Sequence, residues 1–315
     1  MAKVELAMDI RCSTGESPVS YASGNVHFVD IEGCMIHAFD TVANRPVGGV
    51  STNGRMVGNV VPCASPGLPG FDLLACVETS ILPVNFYGND VSGTYVASVP
   101  DSDLNAAKPI RFNDGKVDFQ GRLWAGTMAM DPEQNPESGR LYCLERGKSL
   151  NGGEKRASYD LVEKISPVGI SNGTEWYGQH MYYIDSLQPE VCVFDFDEHD
   201  GSISNRRRVL HIPDTQGLPD GMTIDANGKL WVALFGGSSI VQIDPETQTE
   251  LMTIQVPALC PTSMAFGGKD LSELYVTSGG SGEEKKGGNS EHRGGLFRVH
   301  VPGVKGLSFS RAFTQ

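Results

Sequence analysis

Six short apolar strands, each centred on an aromatic residue or a leucine, recur along the chain and limit what it can fold into. They fall at 26–30, 73–76, 123–125, 182–185, 230–233 and 274–277. With Phe28, Leu74, Trp124, Tyr183, Trp231 and Tyr275 as centres, the intervals are 46, 50, 59, 48 and 44 residues. A second alternating strand follows most centres, at 36–40, 140–143, 191–195, 240–244 and 295–299. Hairpins repeating every 40–60 residues are the mark of a β-propeller, each repeat being one four-stranded blade. Six centres predict an all-β, six-bladed β-propeller, a single domain over residues 1–315. No long stretch has the apolar spacing of an amphipathic helix, which excludes a helical-repeat solenoid. The 38 glycines and 18 prolines, spread along the chain, fit the many tight turns such a fold needs.

Charge and cysteine usage narrow the partners. A formal net charge of −13 argues against nucleic acid or anionic membranes, whose phosphates call for a basic face. Seven cysteines without a C-x-x-C pair suggest reduced thiols. The first residues lack an apolar secretory core, and no run approaches membrane-spanning length. The expectation is a cytoplasmic monomer acting on a small molecule.

In a propeller the innermost strands line a central channel, so polar residues just ahead of the apolar centres can share one site. Four polar islands occupy such places: Glu16, Asn113, Asn172 and Asp220, respectively 12, 11, 11 and 11 residues before the next centre. Asn172-Gly173 and Asp220-Gly221 are also common turn pairs, and taken singly each reads as a turn. The shared offset is what favours a joint site. Carboxylate and carboxamide oxygens are hard ligands suited to Ca²⁺, Mg²⁺ or Mn²⁺, with Zn²⁺ less suited for want of His or Cys. A metal site in the central channel is therefore expected. Arg111 and Asn113, two apart in a strand, point to one face and can hold a polyoxygenated substrate. Asp114-Gly115 reads as a turn. Asp30 and Asp185, just after strand centres, read as caps on backbone. No serine lies in a G-x-S-x-G context, which leaves a serine hydrolase without support.

The stretches GESPV (15–19), RFNDGKVD (111–118), WAGTM (124–128), ISNG (170–173), YYIDS (182–186), LPDGMTID (218–225) and AFGGKDLSELYVTS (265–278) resemble the regucalcin family, also known as gluconolactonase or senescence marker protein, with luciferin-regenerating enzyme as a relative. The resemblance runs from about residue 10 to the C-terminus and is weakest over 45–110. It implies a six-bladed propeller with one divalent metal, calcium being the first choice, held by Glu16, Asn172 and Asp220. It also implies substrate binding by Arg111 and Asn113 and a proton donor/acceptor role for Asp220. A further substrate-binding acid falls on Asp131, where the family uses Glu. Ser20 stands where the family has Trp, and segment 130–140, read as a lid, is particular to this chain. The expected activity is metal-dependent opening of a small lactone. The alternatives are an aryl-ester, organophosphate or luciferin-regenerating type of substrate, or a calcium-binding protein without turnover.

Overall fold

The computed structural model describes residues 2–21, 24–66, 68–147, 159–307 and 311–315. Six antiparallel sheets follow one another around an axis. The innermost strands are Gly15–Tyr21, Val57–Pro62, Ile110–Val117, Ser171–Tyr177, Leu218–Ile224 and Pro261–Gly267, and each packs against the next around the ring. We number the blades 1 to 6 in that order. The recurring apolar strands of the sequence are the second strands: Asn25–Asp30, Leu73–Val77, Leu123–Ala129, His180–Asp185, Leu230–Phe235 and Glu273–Ser278.

Their composition follows from where they lie. A second strand is covered on both faces by neighbouring blades, so both of its alternating side-chain rows are buried. All six predicted centres are buried. The core accordingly consists of clusters set between adjacent blades. Val29, Ile36 and Val60 pack between blades 1 and 2, for example, and Trp124, Trp176 and Tyr183 between blades 3 and 4. The propeller twist is thus built from sheet-on-sheet contacts rather than from one central core.

Two tryptophans show how sequence fixes a blade locally. In D-x-x-G-x-L-W, read at 118–124 and 225–231, the indole Nε1 donates to the carboxylate six residues earlier: Trp124 to Asp118 and Trp231 to Asp225, each at 3.0 Å. The same carboxylates accept backbone N–H groups of the intervening turn, from Gln120 and Arg122 and from Asn227 and Lys229. Gly121 and Gly228 take φ of 74° and 73°, which glycine adopts without a Cβ penalty.

Blade 6 closes the ring. Its outermost strand, Lys3–Met8, comes from the start of the chain and pairs antiparallel with Leu296–His300. The last residues then run beneath the channel. Gly306 bridges to Asp225 of blade 5, Arg311 pairs with Glu175 of blade 4, and Phe313 bridges to Cys63 of blade 2. Blade 2 departs from the pattern, since two short pieces, Asp90–Val91 and Ala97–Ser98, share the place of its outer strand. Helix is limited to Gly280–Lys285 and two 3-10 turns among the described residues.

Candidate functional site

Every innermost strand shifts register against its neighbour near its start. The shifts lie between Glu16 and Val19, Val57 and Asn59, Phe112 and Gly115, Ser171 and Thr174, Pro219 and Met222, and Pro261 and Met264. Such bulges bend the strand and re-aim side chains. Asn113, Asn172 and Asp220 occupy them, and Glu16 stands at the edge of one. The equal offsets in the sequence therefore report one structural event, a bulge at the same height in successive blades. Asp114-Gly115, Asn172-Gly173 and Asp220-Gly221 are not turns but lie within strands. Their glycines serve close packing: a Cβ on Gly173 would stand 2.8 Å from the Asp220 carbonyl, and one on Gly221 2.1 Å from Ser263 Oγ.

Three of the predicted residues, Arg111, Asn113 and Asn172, are joined by hydrogen bonds. Arg111 Nη1 donates to Asn113 Oδ1 at 2.7 Å and to the Phe112 carbonyl at 2.9 Å. Asn113 Nδ2 donates to Asn172 Oδ1 at 3.1 Å and to the Ser171 carbonyl at 2.9 Å. Asn172 Nδ2 donates to Ser186 Oγ at 2.8 Å, and Ser186 Oγ donates to the Pro219 carbonyl at 2.6 Å, next to Asp220. In blade 1, Glu16 accepts the Ser17 N–H at 2.5 Å. Glu16, Asn113, Asn172 and Asp220 are all buried.

Electrostatics single out the carboxylates. Burial raises the pKa of Asp220 well above the usual carboxylate range; Asp114 adds to the rise, while Arg111 and a bond from Asn172 oppose it. Glu16 is raised in the same way by burial and then by Asp220 and Asp114. Arg111 is lowered by its own burial, with acidic neighbours opposing. Mutually repelling, buried oxygens joined by carboxamide donors fit a hard divalent cation. Glu16, Asn172 and Asp220 suit that role.

Asp114 was not foreseen. Strict alternation assigns it to the face opposite Asn113, and only the bulge allows consecutive residues to serve one channel. It too is buried, and burial raises its pKa against the pull of Lys116. Asn59 of blade 2 was missed as well; its Nδ2 donates to the Asn113 carbonyl at 2.6 Å. Ser186, which steadies Asn172, gave no signal beyond its place in YYIDS. Asp131 sits differently from the rest: it is exposed, and its carboxylate accepts the Gln134 N–H at 3.2 Å across a local turn. Segment 130–140 leaves the strand that pairs with Arg111, so it rises from the same mouth. Asp30 and Asp185 are caps, as read. Asp30 accepts N–H groups of Ser13, Thr14 and Gly33, and Asp185 those of Gly169, Ile170 and Leu187. Both fix the chain just ahead of an innermost strand.

A cavity of about 130 Å³ abuts the bulge ring, lined by bulge residues such as Ser17 and Asp114, by later residues of the innermost strands including Lys116 and Glu175, and by Arg311. Of the channel carboxylates only Asp114 lines it; Glu16, Asp220 and Arg111 do not, and its volume does not make it the reactive centre. Size alone carries no chemistry.

Comparison with known proteins bears on the family and the fold. The family described as SMP-30/Gluconolactonase/LRE-like region matches residues 14–280. Regucalcin of Bos taurus is 37% identical over 97% of this chain and 96% of its own length. Among solved structures, luciferin-regenerating enzyme superposes with a TM-score of 0.86 at 30% identity, covering 100% of both chains. A regucalcin described as a calcium-binding protein, from Agrobacterium tumefaciens, superposes at 0.81 over 98% of this chain and 97% of its own; at 21% identity it speaks for the fold alone. With that match, the six-bladed fold and the bulge-borne polar set in place, the chain belongs to the SMP-30/gluconolactonase/LRE-like family.

Proposed function

We propose that the protein is a divalent-metal-dependent hydrolase that opens small lactones, aldonolactones being the first candidates. The observation that carries this reading is the convergence of buried carboxylates with elevated pKa on the same bulge ring as a guanidinium. A protein that only bound calcium would have no use for Arg111, because a cation beside the ligands opposes metal binding.

Glu16, Asn172 and Asp220 would hold the ion. When bound, a divalent metal in such a set supplies Lewis acidity toward an ester carbonyl. Asp220 accepts the proton of the attacking water and returns it to the departing ring oxygen, a role suited to a carboxylate whose pKa lies above the usual range. Arg111 and Asn113 present donors on one face and orient substrate oxygens, Arg111 being itself held by Asn113. Asp131 reaches a distal hydroxyl only if segment 130–140 folds inward, since its carboxylate caps a turn in this structure. The proposed partner is a small molecule, and the proposed setting a cytoplasmic monomer.

A second reading, a luciferin-regenerating type of substrate on the same residues, is favoured by the full-length likeness to that enzyme. The test is hydrolysis of gluconolactone and of an aryl ester by metal-stripped protein, re-supplied in turn with Ca²⁺, Mg²⁺, Mn²⁺ and Zn²⁺. Metal-dependent opening of the lactone, lost in Asp220→Asn, supports the proposal. Activity on the aryl ester alone shifts the substrate class. Metal binding without turnover of either substrate overturns the enzyme reading.

A further inference from the structure

A separate group of side chains in blade 1 has the composition of a metal site. Cys12 precedes the innermost strand, Asp30 ends the second strand and His37 lies in the third. Cys12 Sγ, an Asp30 carboxylate oxygen and an imidazole nitrogen of His37 all lie within 4.8 Å of one another. Tetrahedral ligand atoms about a zinc-sized ion stand roughly 3.5 Å apart, so small side-chain rotations bring the three into range.

The surroundings hold these groups in place. The Asp30 carboxylate is fixed by the backbone N–H groups of Ser13, Thr14 and Gly33, at 3.1 to 3.2 Å. Three such bonds leave lone-pair capacity on its two oxygens. His37 lies tilted against Phe28, with ring centroids 5.4 Å apart. Cys12 is buried, and a Cβ placed on Gly15 would stand 3.4 Å from its Cβ and 3.6 Å from its Sγ. Asp30 and His37 are partly exposed, which leaves an entry for an ion. Asp185, the counterpart of Asp30 in blade 4, caps backbone in the same way, but its blade has Cys192 rather than histidine at the position matching His37. The cap explains Asp30; it does not explain why a thiol and an imidazole converge on it.

We propose that Cys12, Asp30 and His37 form a second metal site, distinct from the channel set, that takes a borderline-soft divalent ion of the zinc class. One thiolate, one imidazole and one carboxylate make a mixed ligand set that suits zinc or cobalt and not calcium, which takes oxygen ligands. A nucleophilic role for the thiol is disfavoured, because burial and the neighbouring Asp30 charge both keep it protonated. On binding, the Cys12 proton goes to solvent and a sulfur–metal bond forms, while the imidazole binds neutral. Three protein ligands leave one tetrahedral position for water.

Cobalt(II) titration of the metal-free protein tests this, because a cysteine thiolate gives cobalt an intense charge-transfer absorption that oxygen ligands do not. At saturation the band is expected to have the intensity of one thiolate-bound cobalt per protein, to persist in Asp220→Asn, and to vanish in Cys12→Ser. His37→Gln should weaken cobalt binding by about tenfold or more. A wild-type protein with no thiolate band overturns the proposal. So does a band that survives Cys12→Ser, which would place it on another of the seven cysteines. Circular dichroism of each variant separates lost binding from lost fold. If Cys12→Ser does not fold, the His37→Gln titration decides, and unchanged affinity there counts against the site.

Discussion

Asn113 Nδ2 lies 3.1 Å from Asn172 Oδ1, joining a strand of blade 3 that carries Arg111, proposed to hold substrate, to a strand of blade 4 that carries a proposed metal ligand. The same amide accepts from Arg111 at 2.7 Å. One carboxamide therefore sets the position of both groups. Asn113→Ala is expected to lower kcat/KM about 10- to 100-fold and to weaken metal binding as well, as loss of a ligand's supporting partner does. Steady-state kinetics with calorimetric metal titration checks both. An effect on kcat/KM with unchanged metal affinity would show that the link to Asn172 is incidental.

Asp220 is expected to show opposite effects on activity and stability. Its charge is disfavoured by burial and by Asp114, so Asp220→Asn relieves repulsion in the metal-free protein. The variant should lose about 10²- to 10⁴-fold in kcat, the range for a removed general base. Its metal-free melting temperature should hold or rise by about 2 °C. Scanning calorimetry beside the kinetic assay tests the pair of expectations, and a clear fall in melting temperature would contradict the electrostatic account.

Metal removal should destabilise the wild type. A ligand that binds only the folded state adds about 2.7 kcal/mol at one hundred times its Kd. Chelation of calcium-saturated protein is expected to lower the melting temperature, and Asp220→Asn should respond far less. Equal responses in the two proteins would place the stabilising ion elsewhere.

His27 gives a pH dependence outside the site. It is buried against Phe86 and Tyr87, its ring nitrogens have no hydrogen-bond partner among the described residues, and burial pushes its pKa from 6.5 down to about 4. Below pH 6.5 the unfolded chain takes up a proton that the native state refuses, so stability falls as pH drops from 6.5 toward 4 and is fully present above. The contribution is about 3 kcal/mol across that window. Denaturation of wild type and His27→Leu at several pH values isolates it as a difference. A gap between the two that does not change with pH would refute the assignment.

Glu175 anchors the closing tail. It is buried between Lys116 of blade 3, at 3.0 Å, and Arg311. Burial works to raise its pKa, yet Arg311 and Lys116 together hold it below the usual range. Glu175→Gln leaves both cations without their shared counter-charge and is expected to cost about 3 kcal/mol. Urea denaturation measures the loss; a change below about 0.5 kcal/mol would mean that the tail's other contacts, such as the bridges of Gly306 and Phe313, hold it without this pair.

Much of the architecture could be read from residue order. An aromatic or leucine centre every 44 to 59 residues sufficed for six blades, because a strand buried on both faces demands an apolar run wherever it occurs. The offsets of Glu16, Asn113, Asn172 and Asp220 likewise pointed to one ring, since equivalent positions in a repeat lie at equal height. Blades 2 and 6 gave no such signal: blade 2 has Gly58 at its bulge and a longer hairpin, and blade 6 contributes Thr262 and Ser263.

What the chain alone determined, then, was the repeat and the positions that repeat with it, both consequences of local periodicity. Tertiary structure decided the rest. A bulge is invisible to strict alternation, so Asp114 became part of the channel only when blade 3 was paired and bent. Asp131 was assigned by resemblance, yet the turn it caps depends on how segment 130–140 folds. The meeting of Cys12, Asp30 and His37 requires three separate strands and loops to be brought together, and no spacing in the sequence records it. Local pattern specifies which face a side chain takes; only packing between blades specifies what it faces.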